Sequence, residues 1–185
     1  HELLVRIRRE QVNPATGDIG FEAGPARRYP GVLVTQELDQ PDFNGDGYAD
    51  LFLWASAESR LTVNALTRAA ASGKWPLLLM SHLYSPEKGR FEPRIAGHLT
   101  LDAPIGWFLD APAEAPLRHI VLADFNGDGR TDFACGTEPD HYAIWLYTDS
   151  GFGAAPTFQH RFSENLRNLS FTADLSNRNR VSIGL

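Results

Sequence analysis

Two nine-residue stretches of the chain gather oxygen donors at matched spacing. The first, DFNGDGYAD, runs over residues 42–50, and the second, DFNGDGRTD, over residues 124–132. Asp42, Asn44, Asp46 and Asp50 occupy positions 1, 3, 5 and 9 of the first. Asp124, Asn126, Asp128 and Asp132 occupy the same positions of the second. Carboxylates this close repel one another unless a cation sits among them. All the donors are hard oxygens, which suit calcium or magnesium rather than zinc or copper. Gly45 and Gly47, and likewise Gly127 and Gly129, allow the left-handed backbone that a tight wrap needs. Position 7 is Tyr48 in one loop and Arg130 in the other. It is expected to offer its main-chain carbonyl, which leaves its side chain free to vary. Flexible coordination by about seven oxygens favours Ca2+ over Mg2+, so two Ca2+ sites are expected.

An EF-hand is excluded. It needs a bidentate Glu at position 12, where this chain has Leu53 and Cys135. The flanks are also strand-like (GVLVTQEL, LFLWAS) rather than helical. Position 9 must close each shell, directly before an apolar strand.

The elements that position these loops recur. Asp42 and Asp124 stand 82 residues apart, and a decayed copy begins 50 residues later at Asp174. In that third loop, 174–182, Ser176, Arg178 and Ser182 fall where the other donors would be. A hairpin element alternates with the loops: GFEAGP at 20–25, GRFEP at 89–93 and GFGAAP at 151–156. The latter two follow a shared Leu-Tyr pair (Leu83-Tyr84, Leu146-Tyr147). A unit is therefore one strand into the loop, one strand out, and a hairpin pair. Four antiparallel strands in about 50 residues match one propeller blade. The longer unit carries two insertions. One lies near 57–76, where LTVNALTRAAASGKW reads as a short helix ended by Gly73. The other, near 103–116, reads as a loop.

The motif D-x-N-G-D-G-x-x-D followed by an apolar residue resembles the signature of FG-GAP/VCBS repeats, the blades of integrin-α-like β-propellers. The resemblance extends over most of the chain. The insertions and the third loop depart from it. It implies calcium sites that are mainly structural and a ligand surface on other loops. The expected fold is all-β: antiparallel four-stranded propeller blades, with one short helical insertion, in a single domain over 1–185. Three units are fewer than a closed propeller's roughly four to eight blades. The chain is read as a segment of a longer propeller, with a self-associating partial propeller and an open sheet assembly as alternatives.

Composition narrows the function. A formal charge of −6 disfavours nucleic acid and anionic membranes, which require basic patches. No apolar run approaches the roughly 18 residues of a membrane span. The single cysteine, Cys135, excludes an internal disulfide and reads as a small buried residue. The chain opens at His1 without a signal-peptide pattern, so localisation is read from the loop chemistry: extracellular, secreted or at the cell surface, where calcium is abundant. No catalytic motif emerges from His82, His98, His119, His141 or His160, and an enzyme is not expected. Trp54 and Trp145 lie in strand patterns and read as core. Trp75 and Trp107, in or beside the insertions, are the candidates for stacking on a sugar. Asn168-Leu169-Ser170 matches a glycosylation acceptor. The expected function is a calcium-stabilised module that binds a protein or glycan ligand or serves structural display. The alternative is a lectin or part of a polysaccharide-active enzyme.

Overall fold

The chain is described here from a computed structural model, which covers residues 2–12, 19–30, 32–34, 41–58, 62–105, 120–138, 140–163, 170–173 and 181–184. Strand dominates, and a single helix is present among the described residues. The chain opens with a hairpin of β1 (Glu2–Val12) and β2 (Ile19–Pro30). The first four-stranded sheet uses β3 (Val32–Val34), β4 (Leu51–Ser56), β5 (Lys74–His82) and β8 (Gly97–Pro104), antiparallel and in that order. The second uses β9 (Val121–Ala123), β10 (Asp132–Glu138), β11 (His141–Trp145) and β14 (Phe158–Arg161), also in chain order.

Each sheet is interrupted at the same point. Between its third and fourth strands the chain makes a small ribbon. In the first sheet this is β6 (Tyr84–Ser85) with β7 (Arg90–Phe91), and in the second β12 (Tyr147–Thr148) with β13 (Gly151–Phe152). Tyr84 faces Phe91 across one ribbon and Tyr147 faces Phe152 across the other. The expected strand–loop–strand plus hairpin unit is thus present twice as a four-stranded meander. Neither sheet closes on itself among the described residues.

A third copy of the loop-flanking pair, β15 (Ser170–Ala173) with β16 (Val181–Gly184), forms an antiparallel two-stranded sheet. Its register differs by one from the alignment made on sequence. Ala123 stands opposite Asp132, but Ala173 stands opposite Val181 rather than Ser182. The third turn is therefore one residue shorter, and Ser182 does not occupy the place of Asp132.

Burial explains the strand assignments. Along β8, Gly97, Leu99, Leu101 and Ala103 are buried while His98, Thr100 and Asp102 face solvent, the period of two of a half-buried strand. The central strands β4 and β10 are buried on both faces over most of their length. The two sheets share one core, in which Phe52 and Trp54 meet Phe133 at ring-centroid distances of 5.8 and 6.2 Å, and Phe133 meets Trp145 at 5.6 Å. Phe152 reaches Phe43, Phe52 and Phe133 from the ribbon. Cys135 is buried within this core, and burial pushes its thiol pKa upward, away from reactivity.

The inserted helix α1 (Val63–Ser72) lies between β4 and β5. Thr62 caps its N-terminus, with its hydroxyl accepting from the Ala65 amide at 3.1 Å. Gly73 ends it in the left-handed conformation, its amide donating to the Ala69 carbonyl at 2.8 Å. Ala65 and Ala69 form the buried stripe.

Two glycines mark a close approach between the second ribbon and β8. Gly151, at φ +86°, lies so near β8 that a Cβ built on it would stand 2.7 Å from the Gly97 Cα. Because that neighbour is backbone, no rotamer change relieves the clash. Gly151→Ala is expected to lower unfolding stability by about 2–4 kcal/mol through overpacking and left-handed strain together. Urea unfolding followed by tryptophan fluorescence checks this, and a loss below about 1 kcal/mol contradicts it.

Candidate metal centre

Both Asp-rich loops adopt one hydrogen-bond scheme. The carboxylate of position 1 is the hub. Asp42 Oδ1 accepts from the amides of Gly45 (2.8 Å) and Asp46 (3.1 Å), and its Oδ2 accepts from Gly47 (2.8 Å). Asp124 does the same with Gly127 (2.6 Å), Asp128 (3.2 Å) and Gly129 (2.8 Å). Three amides converge on one side chain because the glycines at positions 4 and 6 take φ between +72° and +87°. At position 3, Asn44 donates its side-chain amide to Asp46 Oδ2 at 2.8 Å, and Asn126 to Asp128 Oδ2 at 2.9 Å. The other Asp46 and Asp128 oxygens accept from the amides of Tyr48 and Arg130, each at 2.9 Å.

Position 9 closes the loop. Asp50 Oδ2 accepts from the Phe43 amide and its Oδ1 from the Tyr84 amide, each at 2.8 Å. Asp132 accepts from Phe125 at 2.9 Å and Tyr147 at 2.8 Å. One carboxylate therefore fastens the start of its own loop to the ribbon that follows the third strand of the same sheet. Asp50 is 6% exposed and Asp132 0%. Burial pushes both pKa values up to about 6, against the pull of the two amide bonds. The neighbouring carboxylates, Asp42 and Asp46 or Asp128 and Asp124, add to the rise. No ion pair reaches either group among the described residues.

The donor set fits a hard divalent cation in type. A carboxylate has about four lone-pair sites, and each closing aspartate spends two on amides. Two buried anions with no cationic partner among the described residues are the feature that a metal ion would answer. The side chains are not gathered around a centre, however: among the described residues no group of three or more His, Cys, Asp or Glu is placed to hold a metal. The loop amides and Asn44 or Asn126 take up the carboxylates instead.

The position-7 side chains point away from the loop chemistry. Tyr48 is exposed, with its ring 5.8 Å from that of Tyr84, and Arg130 pairs with Asp149 at 2.7 Å. The third turn, 174–180, lies outside the described residues, as does Trp107. Trp75 does not face solvent as a sugar platform would. It is buried at the head of β5, where its indole N–H donates to Ser56 Oγ at 3.1 Å. His82, at the end of β5, is also buried, with Nδ1 3.1 Å from the Glu92 carbonyl, and burial lowers its pKa. A cleft of about 550 Å3 beside α1 mixes both signs of charge, with Arg68 paired to Glu58 and with Lys74 and Asp102 on its walls.

Sequence reading missed three participants. The amides of Tyr84 and Tyr147 complete the closing carboxylates, and the repeated Leu-Tyr pair was their signal. Thr131 at position 8 reaches the other loop: its amide donates to the Asp42 carbonyl at 2.7 Å, and its Oγ1 accepts from the Asp42 amide at 2.8 Å. Comparison with protein-family models and with curated proteins gives no match.

Two outcomes follow from the closing carboxylate. Asp132→Ala strands two amides, that of Tyr147 being buried, and is expected to cost about 2–4 kcal/mol in chelator, measured by urea unfolding. The raised pKa gives a pH signature of opposite sign to an ordinary ion-paired aspartate. In chelator the folded chain holds the proton more tightly than the unfolded chain. This contribution to stability is therefore fully present below about pH 4 and is lost as pH rises through about 6. His82 acts in the other direction, so the readout is the difference between wild type and Asp132→Asn across pH 4–7.5. A difference independent of pH contradicts the assignment.

Proposed function

We propose that the chain is a calcium-stabilised repeat module of the FG-GAP/VCBS type, with two cation sites and no catalytic role. Its four-stranded sheets act as blades of a β-propeller that binds or displays in a secreted or surface protein. The observation that carries this reading is the twinned closing carboxylate: Asp50 and Asp132 are both buried, each accepts from the same two amide positions of its repeat, and no ion pair reaches either among the described residues. A bound Ca2+ would neutralise the crowded carboxylates and exchange their mutual repulsion for coordination by hard oxygens.

The chain's own residues have separate tasks. Asp42, Asn44, Asp46, Asp50 and the Tyr48 carbonyl would hold one ion. Asp124, Asn126, Asp128, Asp132 and the Arg130 carbonyl would hold the other. The glycines curl the backbone, and the closing aspartates transmit the loop's order to the ribbons. Extracellular calcium is near the range where loops of modest affinity fill, about 10⁻⁴ to 10⁻³ M. That supports placing the protein outside the cell. The ligand of such a module, protein or glycan, would meet other surfaces than the loops themselves.

Calcium is expected to raise stability by about 2.7 kcal/mol per site at a hundredfold excess over Kd. Unfolding in calcium and in EDTA, with elemental analysis of the dialysed protein, measures this. Two ions per chain, falling to one in Asp46→Asn or Asp128→Asn, is the expected result. Equal stability in both buffers with no bound calcium overturns the reading.

A further inference from the structure

The two loops are neighbours in space although Asp42 and Thr131 are 89 residues apart in the chain. Thr131 holds the backbone of Asp42 at both ends: its amide donates to the Asp42 carbonyl and its hydroxyl accepts from the Asp42 amide. A Cβ added at Gly45 would lie 3.2 Å from the Gly129 carbonyl, so the glycine-bearing turns also touch. Position 1 of the first loop thus rests on position 8 of the second, and position 4 on position 6. Position 1 is the hub on which three loop amides converge, and position 8 immediately precedes the closing Asp132.

We propose that Thr131 couples the two cation sites, so that filling either loop raises the affinity of the other. This rests on the calcium reading above. The physical basis is shared ordering. Holding a cation in the second loop fixes Asp128 and Asp132, and with them the backbone on which Thr131 stands. Thr131 then presents Asp42 in its final position before the first loop has taken an ion, so less ordering remains to be done there. By linkage the effect is reciprocal: the first ion to enter either loop helps the second by the same factor. Thr131 is a positioning residue and touches no cation itself. In the first loop position 8 is Ala49, exposed and without a hydroxyl, so the coupling runs through one residue rather than a symmetric pair.

Calcium titration by calorimetry, on the full 185-residue chain stripped with chelator, tests this. Wild type is expected to bind two ions with a Hill coefficient above 1. Asp128→Asn, which cripples the second loop, is expected to weaken the remaining first-loop site by roughly fivefold or more. Thr131→Val keeps the side-chain shape but removes the acceptor. It is expected to bind two ions with the Hill coefficient reduced to 1, while Thr131→Ser retains the cooperativity. Circular dichroism of each variant in chelator shows whether the fold is kept. Two independent sites in wild type, with Thr131→Val titrating identically, overturn the coupling while leaving the calcium reading intact. No calcium bound by wild type overturns both.

Discussion

A single carboxylate geometry underlies each repeat. An aspartate at the entry of the second strand turns both oxygens inward and accepts one amide from the loop behind it and one from the ribbon ahead. The loop amides of Phe43 and Phe125 lie outside the strands, those of Tyr84 and Tyr147 stand at the first residue of a ribbon strand, and burying any of them without an acceptor is costly. The aspartate solves that problem and creates another, since its own charge is buried. Burial and neighbouring carboxylates move its pKa up to about 6, against the pull of the two amides it accepts from. The strand order, the position of the ribbon and the chemistry of the loop all meet at this residue.

The sheets behind the loops are held by shape. Aromatic rings from both sheets and from the second ribbon interlock around Phe52, Phe133 and Phe152. Gly97 and Gly151 let β8 and the second ribbon approach to within backbone contact. Nearby, Tyr147 Oη lies 3.1 Å from Ser81 Oγ, a buried polar link between the sheets that also reaches the Gly97 carbonyl. The core thus keeps the two loops at a fixed separation, which allows Thr131 to meet Asp42.

Much of this was legible in the residues. The repeated nonapeptide located both loops, and the alternation of loop and hairpin gave the four-stranded unit. Gly73 marks the end of a helix that the structure places at Val63–Ser72. What escaped depended on register and on long-range contact. Trp75 borders an insertion, which makes it a candidate sugar platform on sequence. Yet it shares the period of two with Leu77 and Leu79, and that period puts it in the core. An ungapped alignment puts Ser182 at position 9, whereas the pairing of Ala173 with Val181 removes one residue. Thr131 carries no local signal, because its partner is 89 residues away and is a backbone that any sequence supplies.

The contact between the loops has a direction. Position 1 of one loop seats on position 8 of the next, so the two units are related head to tail and not by a two-fold axis. Surfaces joined in this way are heterologous, and an array of them either curls until its first member meets its last or continues as an open helix. Each added unit would present the same pair of unlike faces. Handedness and pitch would then be set by the rotation between neighbouring sheets, and the backbone approach of Gly151 to Gly97 is one of the places where that rotation meets a steric limit. A residue with no side chain, and so no landmark in the sequence, thereby limits how far one unit can turn against the next.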